Sequence, residues 1–172
     1  KESFSKPKVS ENYIVNNTDS GIVVSEASSP EITGNTIKGN RGHGLFCDGG
    51  NPLIQANSIV GNSGDGISVV VGHPKVIGNN IHDNGGLAIV NSPKGEPILA
   101  PDNWWGSADP KVILSLARGS VILDSALDGP APDGKTFTLS VLKGPLDGNI
   151  TTDSHLIPAY SPYVIEKKLE ID

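Results

Sequence analysis

An all-β solenoid wound in coils of about 22 residues is the fold this sequence predicts, on three observations. First, the stretch from Pro30 to Val90 repeats one pattern three times. From Pro30, Pro52 and Pro74 it runs through an apolar residue at +2, Asn at +5, Ile at +7, Asn at +10 and an apolar residue at +15. A self-similar period of roughly 20–30 residues marks units that cannot bury their apolar faces alone and must stack. Second, Gly, Asn and Pro interrupt the chain every few residues, so no unit holds the unbroken run of helix formers that a helical repeat needs. Third, the composition favours short strands and turns, with 21 Gly, 13 Pro, no Met and 5% aromatic residues.

The coils are predicted over residues 1–110. Pro7 opens a first coil, with Val9, Asn12, Ile14, Asn17, Gly21 and Ile22 at the matching offsets. Pro97 opens a partial fifth, with Leu99 at +2 and Asp102 where Asn would stand. The pairs Ile22/Val24, Leu45/Cys47 and Ile67/Val69 alternate with period two, as inward-facing strand residues do. Stacking about 4.8 Å apart lines up Asn35, Asn57 and Asn79 in one column and Asn40, Asn62 and Asn84 in another. Both columns are expected to be structural: Asn tolerates a left-handed corner, and its amide can bond to the next Asn in the stack. Gly21, Gly44 and Gly66, with Ala88 the exception, are expected to permit the turn into the following strand.

Beyond the coils, residues 111–135 are predicted to form a terminal helix and a last coil. Asp109 to Arg118 reads as a helix that could plug an open end, with Gly119 as its stop, and Ser120 to Leu127 as a strand. Gly129 to Lys135 reads as a loop. Residues 136–172 are predicted to hold further strands, Thr136 to Leu142 and Tyr163 to Ile171, as a cap or the start of another solenoid segment.

The run Asn-x-Ile-x-x-Asn followed by Gly-Ile-x-Val, ending in Asp102-Asn103-Trp104-Trp105-Gly106-Ser107, resembles the right-handed parallel β-helix repeats of the pectin-lyase-like superfamily, in particular its NosD-like branch. The resemblance covers Pro7 to Pro110 and implies a right-handed parallel β-helix. That fold carries lyases, hydrolases, epimerases, glycan-binding modules and surface stalks alike, so it does not select among them.

Composition removes several partners. A net charge of −6 argues against nucleic acid, which needs a concentrated Lys/Arg surface. No run of about 18 apolar residues exists for membrane insertion. Cys47 is alone, which excludes an internal disulfide and a cysteine metal site. His43, His73 and His82 fall at unlike offsets, and Asp48, Asp65 and Asp83 likewise, so neither a metal centre nor the acidic cluster of a calcium-dependent lyase is expected. No cofactor is expected.

Catalytic candidates are weak. Ser20, His43 and Asp65 share the +13 column on successive coils and are the types of a nucleophile, a base and its orienter. A coil spacing of about 4.8 Å exceeds direct hydrogen bonding, and each residue adjoins a Gly-rich turn that is polar in any case. Binding candidates lie at +16, where Val23, Phe46, Ser68 and Val90 form an outward apolar column. The strands that begin at Thr136 are the competing explanation, as a cover for that column. Trp104 and Trp105 are expected to close the end of the core, one of them from the inward +7 position.

The expected function is a structural or adhesive module of an exported surface protein, extracellular, cell-surface or periplasmic, with a polysaccharide or cell-surface glycan as partner. A polysaccharide-acting lyase, hydrolase or epimerase is one alternative. A subunit that self-associates head to tail through its solenoid ends is another.

Overall fold

A computed structural model describes residues 6–26, 28–92 and 95–139, together with the strand backbones at 146–150 and 165–171. The chain winds as a parallel β-helix with three short strands per coil. Coil one holds β1 (Lys8–Ser10), β2 (Tyr13–Val15) and β3 (Ile22–Ser25), and coil two β4 (Glu31–Thr33), β5 (Thr36–Lys38) and β6 (Leu45–Asp48). Coil three holds β7 (Leu53–Gln55), β8 (Ser58–Val60) and β9 (Ile67–Val71), and coil four β10 (Lys75–Ile77), β11 (Asn80–His82) and β12 (Ile89–Asn91). Equivalent strands pair in parallel into three sheets, ordered β1-β4-β7-β10, β2-β5-β8-β11 and β3-β6-β9-β12, the last extended by β14 (Ala117–Arg118).

The register follows the repeat: Ile32 opposes Ile54, Ile37 opposes Ile59, and Leu45 opposes Ile67. Like residues therefore stack, and each column of Ile, Val or Leu becomes a continuous strip of core. Ile37, Ile59 and Ile81 are wholly buried, with Trp105 continuing their column into the fifth coil. Cys47 is buried between Val24 and Val69. Desolvation in that apolar column pushes its thiol from 9.0 up to about 12.

Both Asn columns form the expected amide ladders. The side-chain oxygen of Asn57 accepts from the backbone N–H of Asn35 (2.9 Å) and from its Nδ2 (3.0 Å), and Asn57 donates in turn to Asn79. The second column repeats this from Asn17 through Asn40 and Asn62 to Asn84. The left-handed corner residue, however, is not the Asn. It is the residue before it: Glu11, Gly34, Ala56, Gly78 and Asp102 precede the first ladder, and Asn16, Gly39, Gly61 and Asp83 the second. A left-handed residue turns the chain so that the following side chain points along the stack.

The glycine column also has a different cause. Gly21, Gly44 and Gly66 do not adopt positive φ. A Cβ on Gly44 would instead drive into the Ile59 side chain and the Gly66 carbonyl of the next coil, and Gly66 meets Ile81 and Ala88 in the same way. Close stacking, not the turn, demands glycine there.

The fifth coil departs from the expected register by one residue. Asn103, not Asp102, takes the ladder position and accepts from Asn79, 24 residues back. Ile98 is buried and Leu99 exposed, the reverse of the count from Pro97. In this coil β13 (Ile98–Leu99) pairs with β15 (Val121–Ile122), and α1 (Pro110–Ser115) stands between Trp105 and β14. Asp109 caps α1 by accepting from Lys111 N (2.8 Å). The helix ends before the expected Arg118 because Ala117–Arg118 pair with β12 instead. Since β15 continues past it, α1 is part of a coil wall, with Ile113 in the core, and not an end plug.

The predicted strand at Thr136 is present as β17 (Thr136–Thr138), antiparallel to β16 (Ser125–Leu127). The preceding turn is tied to coil four by the Asn80 amide, which donates to Ala131 O (3.2 Å) and accepts from Ala131 N (2.7 Å). β18 (Leu146–Ile150) and β19 (Ile165–Ile171) form a parallel pair. The remainder of the predicted strand up to Leu142, and the start of the one from Tyr163, lie outside the described residues.

Candidate functional site

The five-stranded sheet β3-β6-β9-β12-β14 carries both sets of candidates. Period-two alternation sends Val24, Cys47 and Val69 inward and leaves Val23, Phe46, Ser68 and Val90 outward, register-paired side by side. Val23 is 60% exposed, and Phe46, Ser68 and Val90 are half-buried. Arg118, exposed, extends the row beyond Val90. Of the strands from Thr136 that compete as a cover for this row, β17 pairs with β16, and the side chains of those beyond residue 139 lie outside the described residues.

Ser20, His43 and Asp65 occupy the turns that lead into β3, β6 and β9. Each accepts from the backbone of the coil that follows. Ser20 Oγ takes the His43 N–H (3.1 Å), His43 Nδ1 the Asp65 N–H (3.0 Å), and Asp65 Oδ1 the Leu87 N–H (2.8 Å). The structure brings His43 and Asp65 together, with Nδ1 3.4 Å from Oδ2. It does not bring the serine hydroxyl to the imidazole. A nucleophile needs its base at its own oxygen, whereas Ser20 Oγ faces a main-chain donor. The three side chains perform one shared task, satisfying N–H groups at a corner.

One contact joins the two sets. The rings of His43 and Phe46 stack with centroids 5.8 Å apart and planes 16° from parallel. Both are part-exposed, so they form a two-ring platform on the outer face, with Val23 beside Phe46 on the neighbouring strand. Treating +13 and +16 as separate columns missed this. The signal was the three-residue step across Gly44, which swings the turn residue back over the strand it introduces.

The ladder residues Asn35, Asn57, Asn79, Asn40 and Asn62 are buried, Asn84 is half-buried, and all spend their amides on the stack. Trp105 is buried at the inward position, and Trp104 is half-buried, bridged to Asn80. Among the described residues no group of three or more His, Cys, Asp or Glu is placed to hold a metal ion, and no helix is long and apolar enough to cross a membrane.

Stacked parallel coils, amide ladders and a strip-like core define a parallel β-solenoid scaffold. The sequence model of the family described as "right handed beta helix region" matches residues 1–98, and the chain belongs to that family. No curated protein and no solved structure matches it.

Proposed function

We propose that the chain is a rigid, non-enzymatic β-helix module that works at the cell surface or outside the cell and makes an adhesive contact with a glycan through the outer face of its β3-β6-β9-β12 sheet. The observation that carries this is the His43–Phe46 platform beside exposed Val23. The part-exposed Phe46 ring, flanked by the His43 imidazole, suits the C–H faces of sugar rings, and neighbouring polar turns suit their hydroxyls. The coils supply rigidity, because almost every corner amide is spent within the stack.

The test is a glycan array with wild-type protein and Phe46→Ala, alongside a product assay on the bound glycans. Binding without turnover, weakened about tenfold or more by Phe46→Ala, is expected for an exposed aromatic anchor. Binding to no glycan, or equal binding by the variant, overturns the reading. Release of product identifies an enzyme instead.

Self-association is favoured by a separate observation. Among the described residues β1, β2 and β3 each lie at the edge of their sheet, and Tyr13 on β2 is 83% exposed. Unpaired edges of this kind accept further strands. Sedimentation across a concentration series separates this reading, since a constant monomer mass removes it.

A further inference from the structure

Two carboxylates flank the His43–Phe46 platform. Asp48 follows Phe46 by two residues on β6 and so shares its outward face. It is exposed, and among the described residues nothing bonds to or pairs with its carboxylate. Asp65 stands at the other end, beside His43. Its Oδ1 is taken by the Leu87 N–H (2.8 Å), while its Oδ2 lies 3.4 Å from His43 Nδ1. That nitrogen already accepts the Asp65 N–H (3.0 Å), so it has no hydrogen to share with the carboxylate. Asp65 Oδ2, on a part-exposed side chain, is thus left without a donor among the described residues.

An aromatic ring between two such oxygens is complementary to a cation. An ammonium group near the ring face is attracted by the ring quadrupole, and either carboxylate can accept a charge-assisted bond from it. A sugar acid meets the opposite field, repelled by both carboxylates at close range and by a chain of net charge −6 further out. The nearby counter-charges are arginines. Arg41 is exposed in the turn that carries His43, but it forms no ion pair with either carboxylate. Arg118, on β14, lies three strands from β6, about 14 Å, where an exposed charge is largely screened at physiological salt.

We propose that the platform selects sugars bearing a free amino group, as glucosamine units do, over neutral sugars and uronates. The C–H face of the sugar lies against Phe46, and its ammonium donates to the carboxylate at one end of the platform, Asp48 or Asp65 Oδ2. This selectivity rests on the glycan reading above and assigns the class of glycan to the same site.

The test is calorimetric titration of the whole chain with glucosamine, N-acetylglucosamine, glucose and uronate oligomers of equal length, and with a lysine oligomer of equal charge that lacks sugar rings. Expected is binding of the glucosamine oligomer about tenfold tighter than of the two neutral oligomers, with the uronate oligomer weakest. Asp48→Asn and Asp65→Asn are each expected to lower the affinity for the glucosamine oligomer about two- to fivefold. Neither threatens the fold, because Asp48 is exposed and an amide oxygen at position 65 still accepts the Leu87 N–H. Asp133→Asn removes the same charge from the exposed turn before β17 and is expected to change nothing. Equal affinity for the glucosamine and glucose oligomers, tighter binding of the uronate, or as large a loss with Asp133→Asn as with Asp48→Asn overturns the amino-sugar assignment and leaves the glycan reading standing. A lysine oligomer that binds as tightly as the glucosamine oligomer overturns the assignment too. Binding of no sugar oligomer overturns both.

Discussion

Truncating one mid-ladder asparagine tests whether the amide columns hold the coils together. The Asn57 side chain is buried and accepts from the backbone N–H of Asn35 (2.9 Å) and from Asn35 Nδ2 (3.0 Å). It donates to Asn79 Oδ1 (3.0 Å), Ile32 O (2.8 Å) and Gln55 O (3.0 Å). In Asn57→Ala several of these partners keep a second bond. Asn35 Nδ2 retains the Val9 and Thr33 carbonyls, Gln55 O retains Gly34 N–H, and Asn79 Oδ1 retains the backbone N–H of residue 57. The Asn35 N–H retains nothing. One stranded buried donor at about 1–3 kcal/mol, plus about 1 kcal/mol for the Ile32 bond, gives a loss of about 3 kcal/mol. Asn17→Ala is the control: Asn17 is exposed and donates from its side chain only to Asn40 Oδ1 (2.8 Å), so less than about 1 kcal/mol is expected. Solenoids can unfold in parts, so the local readout is amide hydrogen exchange at Asn35, set beside denaturant unfolding of both variants. If Asn57→Ala costs no more than Asn17→Ala and leaves Asn35 exchange unchanged, the ladders do not stabilise the stack.

Gly44→Ala is expected to destabilise by about 1–3 kcal/mol through overpacking against Ile59 and the Gly66 carbonyl, read as a lowered Tm; an unchanged Tm would show that the coils can separate to admit a methyl group. Cys47, its thiol raised to about 12, is expected to resist alkylation at neutral pH until the protein unfolds, and labelling of the native chain would refute its burial. Because the folded value lies above the unfolded value of 9.0, the folded state holds the proton longer. The stability linked to Cys47 is therefore complete below pH 9.0 and lost as pH rises towards about 12, a slope that Cys47→Ala should remove from alkaline unfolding curves.

Coil length, strand register, inward pairs and amide ladders were legible because stacking multiplies each signal. A single Asn suggests little, but Asn35, Asn57 and Asn79 at one offset require a column. Where the chain departs from the repeat, that amplification is lost. The fifth coil was misregistered because Pro97 was counted as the usual start, while the ladder holds its register through Asn103. The helix was overextended because Ala117 and Arg118 suit a helix locally, and pairing with β12 is a non-local gain invisible in that window. The purpose of the glycine column was misread for a similar reason. Its constraint comes from the coil above, not from the turn in which each glycine lies.

The exceptions to the repeat converge on one place. Ala88 breaks the glycine column, the second Asn ladder ends at Asn84, and Trp105 replaces Ile in the inward column. Taken singly, each looks like drift at the frayed end of a pattern. Their positions argue otherwise, since all three line the same cavity beneath α1. Gly44 and Gly66 are held to glycine by the Ile side chain and Asn amide of the next coil, whereas the next coil beyond residue 88 has neither an Ile nor an Asn in those columns. Without that Ile and Asn, two of the contacts that exclude a Cβ at Gly44 and Gly66 are absent at residue 88, where Ala88 and Trp105 are both buried. Such coordinated departure marks a local rebuilding of the coil around one cavity, not a residue-by-residue wearing of the repeat.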